Sequence, residues 1–190
     1  MHPTHTLMPK SAIFTIGHST RPLAELVALL HDARIEQLVD VRSVPRSRRH
    51  PHFEGAALQT SLPAAGIAYR HAAALGGFRR PQRQSPNAGW EHRSFRGYAD
   101  YMGEAGFALA LGDLARQASA RPTCVMCAEA QWWRCHRRLI ADALVVRGWC
   151  VTHLGLGARA TDHQLTAFAQ VDGTSITYPP AQQELPGQGE

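Results

Sequence analysis

The sequence predicts a three-layer α/β domain with a mainly parallel sheet of about five strands and helices on both faces, a Rossmann-like arrangement. Two observations, one of pattern and one of length, lead to this prediction. Short apolar runs that suit buried strands alternate strictly with runs of helical periodicity, which is typical of right-handed crossovers and a parallel sheet. The chain has 190 residues, which is long enough to bury one core.

The predicted elements follow one another without an internal repeat. The run AIFTI, from Ala12 to Ile16, is the first strand, and RPLAELVALLHDA carries leucines at helical spacing behind Pro22, which suits a first helical turn. The later elements are strand QLVDVRS, helix LQTSLPAAG, strand IAYRH, a helical region GYADYMGEAGFALALGDLARQAS broken near Gly103 or Gly106, strand PTCVMCA, helix CHRRLIADALVVRG and strand WCVTHL.

A single domain is expected over residues 11–172. Residues 1–10 and 173–190 are expected to be flexible termini, because the end of the chain is polar and rich in proline and glycine. Residues 73–95 are too long and too rich in Gly, Pro and Arg for a simple connection, so they are predicted to form a lid.

The net charge is +5, and Lys10 is the only lysine beside nineteen arginines. Arginine binds phosphate and carboxylate with two parallel hydrogen bonds, although a GC-rich coding sequence also enriches arginine and alanine. No apolar run approaches the roughly 20 residues of a membrane span, and the first ten residues lack a signal pattern. We therefore expect a cytoplasmic protein with reduced cysteines and no membrane partner.

Polar and titratable side chains follow the predicted strands where those strands end. They are His18 and Ser19 after the first strand, Asp40, Arg42, Arg46 and Arg48 at and beyond the second, Arg70 and His71 at the end of the third, Cys127 and Glu129 at the end of the fourth, and His153 at the end of the fifth. Because ligands of open parallel sheets bind outside the carboxyl ends of the strands, this rim predicts a functional site. Asp40 and Arg42 lie two apart on one strand face, and pairing with each other is an equal alternative.

The stretch CAEAQWWRCHRR, which starts at Cys127, is predicted as a strand-to-helix loop of this site. Cys135 lies near a helix start, where backbone N–H groups and Arg137 favour a thiolate or a bound anion. A cysteine phosphatase loop is disfavoured, because the spacing to Arg134 is one residue too long and Glu129 adds a negative charge. Cys127, Cys135 and His136 are a further alternative as ligands of zinc or iron.

Five motifs, TIGHST, LVDVRSVPRSRRHPHF, GIAYRHAAALGG, FRGYADYM and CAEAQWWRCHRRLIAD, together resemble the bacterial "domain of unknown function 488" family. The resemblance runs from about Ile13 to Leu154. It implies a compact α/β domain with the motif residues His18, Asp40, Arg42, Pro45, Arg48, Gly76, Gly77, Tyr98, Tyr101, Cys127, Glu129, Cys135, His136 and Arg137. The bridge AQWWR departs from the shorter acidic or proline-containing bridges of that family, and the family implies no established reaction.

The leading hypothesis is an enzyme that acts on a phosphorylated or nucleic-acid-derived substrate. The sequence does not require a cofactor, and none is identified. Its expected catalytic residues are His18, Asp40, Cys127, Glu129 and His136. Its expected anion- or substrate-binding residues are Ser19, Arg42, Arg46, Arg48, Tyr98, Cys135 and Arg137. The alternatives are a non-catalytic nucleic-acid or nucleotide binder and a metal or thiol sensor, and the oligomeric state is left open.

Overall fold

The computed structural model describes residues 11–157 and 159–181. Within them the helices are α1 (Leu23–Asp32), α2 (Gly55–Ala64), α3 (Arg93–Met102), α4 (Ala105–Ala120) and α5 (Arg137–Val146). The strands are β1 (Ala12–Gly17), β2 (Gln37–Asp40), β3 (Ala68–His71), β4 (Thr123–Cys127), β5 (Cys150–Leu154), β6 (Thr161–Asp162), β7 (Gln170–Asp172) and β8 (Ser175–Thr177). None of these helices combines the length and the apolar character needed to cross a membrane.

Six strands form the main sheet in the order β3-β2-β4-β1-β5-β6. The five strands β1 to β5 are parallel, as predicted, and β6 adds a short antiparallel edge beside β5. The chain reverses after β5 through Gly155 and Gly157, whose φ angles of 76° and 73° lie in the left-handed region that glycine tolerates. This reversal explains the sixth strand, which the apolar pattern did not predict.

Helices cover both faces of the sheet, which confirms the predicted three layers. On one face, Leu26 and Leu30 of α1 pack with Leu58 and Leu62 of α2. The other face packs against α3, α4 and α5, and its core includes Tyr98. Full burial of each leucine contributes about 1.5–3 kcal/mol, so the faces are held mainly by apolar contacts.

A crevice opens beside β4, where the loops that follow the strands begin. The connections after β1 and β2 lead to α1 and α2 on one face, whereas the connection after β4 leads to α5 on the other. Neighbouring strands whose connections leave to opposite faces mark the switch point at which parallel sheets bind ligands. The crevice therefore lies between the carboxyl ends of β2, β4 and β1.

Residues 73–95, the predicted lid, are anchored to α3. The carboxylate of Asp100 accepts hydrogen bonds from the backbone N–H of Gln82 (2.8 Å), from Ser85 Oγ (2.5 Å) and from Asn87 Nδ2 (2.8 Å). The guanidinium of Arg79 lies 3.6 Å from the ring centroid of Tyr101. The segment therefore forms a fixed wall of the crevice in this structure.

The C-terminal hairpin β7–β8 continues beyond residue 172, the expected end of the domain. Tyr178 is fully buried, and its backbone N–H donates to Asn87 Oδ1 at 2.9 Å. Packed structure thus extends at least to Tyr178. Residues 1–10 and 182–190, the outer parts of the expected flexible termini, lie outside the described residues.

Candidate functional site

A cleft of about 440 Å³ opens at the crevice beside β4. Its walls come from the loop after β2, from the anchored segment 73–95, from the start of α3 and from the loop between β4 and α5. The lining residues are Arg42, Ser43, Val44, Arg46, Gly77, Phe78, His92, Ser94, Phe95, Cys127, Ala128, Glu129, Arg134, Cys135 and His136. Four of the five predicted catalytic and binding residues of the CAEAQWWRCHRR stretch, all but Arg137, reach this cleft.

Two thiols and an imidazole meet in the cleft. Cys127 ends β4, and the loop that follows it returns through a short 3-10 turn so that Cys135 and His136 lie just before α5. The two Sγ atoms and one ring nitrogen of His136 all lie within 4.8 Å of one another. Cys124, by contrast, points to the opposite face of β4, and none of the four cysteines, all of which are described, is in a disulfide. The C-x-x-C spacing of Cys124 and Cys127 therefore does not bring these two thiols together.

The two thiols have opposite ionisation tendencies. The pKa of Cys135 is well below its ordinary value because Cys127 donates a hydrogen bond to its sulfur, and because His136 and Arg137 add to the stabilisation of the thiolate. The pKa of Cys127 is raised because it is the donor in that bond and because it is buried. Cys135 also lies at the positive end of the α5 dipole. Cys135 is therefore the more acidic thiol of the pair, and Cys127 is the hydrogen-bond donor.

His136 is held in one orientation. Its Nε2 donates to the backbone carbonyl of Val41 at 3.1 Å, which leaves Nδ1 facing Cys135 Sγ at 3.6 Å. The ring of Tyr98 packs beside it, with 5.1 Å between ring centroids. With Nε2 protonated by this bond, Nδ1 is free to accept a proton from the thiol.

Arg137 is fully buried and shapes the loop from beneath. Its guanidinium donates to the backbone carbonyls of Glu129 and, at 3.3 Å, Ala130, and to Thr15 Oγ1 at 3.3 Å. Within the described part of the chain, no carboxylate pairs with it and its Nε has no hydrogen-bond partner. Arg137 therefore sets the shape of the loop and places a cation near the thiols, without lining the cleft.

A buried chain of hydrogen-bonded polar groups links Arg137 to the carboxylate of Asp142. Thr15 Oγ1 lies 2.7 Å from His153 Nδ1, His153 Nε2 lies 3.0 Å from His163 Nδ1, and His163 Nε2 lies 2.8 Å from Asp142 Oδ1. These hydrogen bonds connect Arg137, through Thr15 and the two imidazoles, to the carboxylate of Asp142. The ring of Trp132, in the loop between β4 and α5, stacks on His153 with 4.2 Å between ring centroids. The polar chain thus supports the loop from the core.

Asp40 and Arg42 pair with each other beside the cleft. Arg42 Nε lies 2.9 Å from Asp40 Oδ1, and Nη2 lies 2.5 Å from Oδ2, while the same Nη2 also donates to the carbonyl of Phe53. The carboxylate accepts a further bond from Tyr69 at 2.9 Å. Both charges are buried and compensated, so the equal alternative of simple pairing describes this contact. The remaining Nη1 of Arg42 lies 3.3 Å from His18 Nε2.

His18 is a neutral imidazole in this structure. Burial lowers its pKa to about 4. Its Nδ1 donates to the carbonyl of Ser19 at 2.9 Å, its Nε2 faces Arg42 Nη1 at 3.3 Å, and its ring stacks on Phe53 at 4.2 Å. His18 can therefore accept a proton only at the nitrogen that Arg42 now occupies.

A second, more open depression of about 510 Å³ continues from the cleft. It shares Ala128 and Glu129 with the cleft and is lined on its far side by His18, Ser19, Thr20, Ser47, Arg48, Arg49, His50 and Ala130. Glu129 is exposed between the two depressions, where its carboxylate accepts from the backbone N–H of Gln131 at 3.2 Å. Ser19, Arg48 and His18 thus face this depression rather than the thiols.

Tyr98 is the other predicted binding residue, besides Arg137, that does not line either depression. It is fully buried, and its hydroxyl donates to the carbonyl of Leu75 at 2.8 Å. Sequence reasoning missed Phe78, Val44 and the carbonyl of Val41, which carry no motif chemistry of their own. Of the two histidines in the buried chain, His153 was singled out at the end of a predicted strand, whereas no sequence pattern pointed to His163.

One comparison with known proteins gave a match. The model of the family described as "Domain of unknown function DUF488" matches residues 22–144. The chain belongs to this family. The DUF488 match includes β2, β4, the thiol loop and most of α5, whereas His18, His153 and the C-terminal hairpin lie outside it. Comparison with curated proteins and with solved structures gave no significant match.

Proposed function

We propose that the protein is a cysteine-dependent enzyme acting on a small phosphorylated or nucleic-acid-derived substrate, with Cys135 as the nucleophile. One observation carries this proposal. Cys135 Sγ lies between a thiol that donates to it and a ring nitrogen 3.6 Å away, in a cleft open to solvent. A cysteine with a lowered pKa beside an oriented histidine is the arrangement that nucleophilic catalysis requires.

The chemistry needs only the groups already present and water. In the first step the Cys135 proton moves to His136 Nδ1 while Sγ attacks an electrophilic phosphorus or carbon atom of the substrate. The bond to the leaving group breaks, and the leaving group keeps the electron pair and takes the proton from Nδ1. Water then attacks the sulfur-linked intermediate, and its proton returns through Nδ1 to Sγ, which leaves with its electron pair.

Anion binding at the cleft is assigned to arginines at its mouth. Arg46 and Arg134 line the cleft, and Arg48 lines the depression beyond. Arg42 contributes less net charge, because Asp40 compensates it, but it holds His18 in place. In this proposal Asp40 and His18 are positioning residues, and the role of orienting the attacking water is given to Glu129, the only carboxylate among the described residues that line the cleft.

The decisive experiment compares Cys135→Ser with Cys150→Ser, because Cys150 is the exposed cysteine outside the cleft. Both variants and the unchanged protein are screened for hydrolysis of phosphate esters and nucleotides. We expect the first variant to lose activity by about 10³-fold or more and the second to retain it. Unchanged turnover in Cys135→Ser would overturn the proposal, and binding without any turnover would favour the non-catalytic binder.

The side chains of Cys127, Cys135 and His136 also support a metal centre as a second candidate function. A tetrahedral Zn²⁺ with bonds of about 2.3 Å to sulfur and 2.0 Å to nitrogen places such ligands roughly 3.5 Å apart, close to the observed 3.6 Å between Cys135 Sγ and His136 Nδ1. The Nε2 bond to the Val41 carbonyl is the usual support of a metal-bound histidine. Cobalt absorption in the charge-transfer region, lost in Cys127→Ser but not in Cys150→Ser, would favour this candidate, whereas activity unaffected by chelators favours the thiol enzyme.

A further inference from the structure

An apolar lip stands at the mouth of the cleft, formed by Val44 and Phe78. The side chain of Phe78 is 88% exposed and that of Val44 is 54% exposed. Both residues line the cleft. A phenylalanine exposed to this degree contributes little to the core, so the folding of the chain does not explain it.

The backbone beneath the lip is held firmly. The N–H of Phe78 donates to Ser43 Oγ at 3.2 Å, which ties the residue to the loop after β2. The neighbouring Gly77 lies against the ring of His136, where a Cβ would come within 2.6 Å of Nδ1. The exposed aromatic ring of Phe78 is thus carried by a backbone that packs against His136 and is bonded to Ser43.

The charges around the lip are strongly unequal. Arg46 and Arg134 line the cleft beside Arg42, whose charge Asp40 compensates, and the only carboxylate among the lining residues in the described chain is Glu129. Arg48 and Arg49 extend the cationic surface into the neighbouring depression. A ligand that fits here combines a flat apolar ring with one or more negative charges.

We propose that the lip binds the base of a nucleotide whose phosphate contacts Arg46 and Arg134, so that the substrate is a nucleotide, either free or at the end of a single strand. This inference rests on the proposed function and names its substrate class. Base stacking on an exposed aromatic ring next to arginines is how sequence-tolerant single-strand binding is built. A purely apolar peptide would leave the arginines without partners, and a duplex would keep its bases stacked within the helix, away from Phe78.

The test measures binding of a fluorescent oligothymidylate of about ten nucleotides and of the mononucleotide, by anisotropy and by competition, at several salt concentrations. The full chain carries Cys135→Ser so that turnover does not consume the probe. Phe78→Ala should weaken binding by about 5- to 100-fold with an unchanged salt slope. Arg134→Gln should weaken binding and reduce the slope of log K against log salt by about 0.7.

Matched controls lie on α4, away from the cleft. Leu109 is an exposed apolar side chain and Arg116 an exposed arginine, so Leu109→Ala and Arg116→Gln should leave binding unchanged. If the mononucleotide competes as well as the oligomer at an equal concentration of bases, the substrate is a free nucleotide. If only the oligomer binds, the substrate is a strand end. Equal binding by Phe78→Ala, or preference for duplex over single strand, overturns the inference.

The two proposals fail separately. Loss of turnover in Cys135→Ser on a substrate without a base, together with no effect of Phe78→Ala, would leave the cysteine enzyme standing and remove the nucleotide. Binding that depends on Phe78 while turnover is indifferent to Cys135 would remove the cysteine enzyme and leave the nucleotide site.

Discussion

The ring of His136 lies directly against Gly77, and a Cβ built on Gly77 would come within 2.6 Å of His136 Nδ1. This is the nitrogen that faces Cys135 Sγ. Glycine is required here because any side chain would occupy the position of the imidazole. The close approach links the anchored segment 73–95 to the chemistry of the thiol pair.

Gly77→Ala should displace His136 and reduce the reactivity of Cys135 at neutral pH by about tenfold or more. Overpacking of this kind costs about 1–3 kcal/mol in the free energy of unfolding. Gly112→Ala is the matched control, because the added Cβ on α4 meets nothing closer than 3.9 Å and should stabilise the helix by about 0.5–1 kcal/mol. Alkylation rates of Cys135, read by peptide mass spectrometry, check the pair. Equal rates in both variants would contradict the role given to His136.

Cys127→Ala should raise the pKa of Cys135 towards the ordinary thiol value of 9.0, because it removes the donor that is the main cause of the lowered pKa. A lowered pKa means that alkylation of the unchanged protein reaches half its maximum well below pH 9.0. The variant should therefore shift this midpoint to higher pH. Cys127→Ser keeps a donor and should restore part of the shift, whereas Cys124→Ala, on the other face of β4, should leave the midpoint in place. An unmoved midpoint in Cys127→Ala argues against the thiol pair.

Asp142→Asn should destabilise the protein by about 3 kcal/mol, a typical cost of breaking a buried charged network. The carboxylate accepts bonds from His163, from the N–H of Thr166 and from the hydroxyl of Tyr178. The asparagine amide has a donor in place of one acceptor oxygen. It also removes the negative charge to which the buried chain connects Arg137. Asp162→Asn, at an exposed carboxylate with one bond from Thr152, should change stability by less than about 1 kcal/mol. Urea unfolding measures both, and equal losses would exclude a special role for the buried chain.

Stability should fall as the pH is lowered from about 6.5 towards 4, because His18 and His153 are buried and neutral. Burial lowers the pKa of His18 to about 4 and that of His153 to about 3, both from 6.5. In this range the unfolded chain binds more protons than the folded chain, so acid favours unfolding by an amount on the order of a few kcal/mol.

Denaturant titrations between pH 4 and pH 7.5 check this prediction. His31→Asn removes an exposed histidine and should leave the acid-dependent loss unchanged, whereas His153→Gln should reduce it. A flat dependence of stability on pH over this range would mean that both histidines can be protonated without cost in the folded state.

The elements of the sheet were predictable because they depend on local patterns. Apolar runs of strand length alternate with helical periodicity. The helical region was expected to break near Gly103 or Gly106, and the break lies at Gly103, since α3 ends at Met102 and α4 begins at Ala105. The edge strand β6 and the hairpin β7–β8 were not predicted, because their residues are mostly exposed and polar and carry no apolar run. Their positions follow from pairing and turns rather than from composition.

By itself, the sequence determined the family, the parallel α/β fold and the collection of thiol, imidazole and arginine groups at one edge of the sheet, since strand order along a chain places strand ends together. Only the tertiary structure decided which of these groups meet. Asp40 compensates Arg42, Arg137 and Tyr98 support the walls from within, and Cys127 lies beside Cys135 and His136. The physical reason is that side-chain pairing depends on distances of a few ångströms between loops that are far apart in sequence, and no local pattern records those distances.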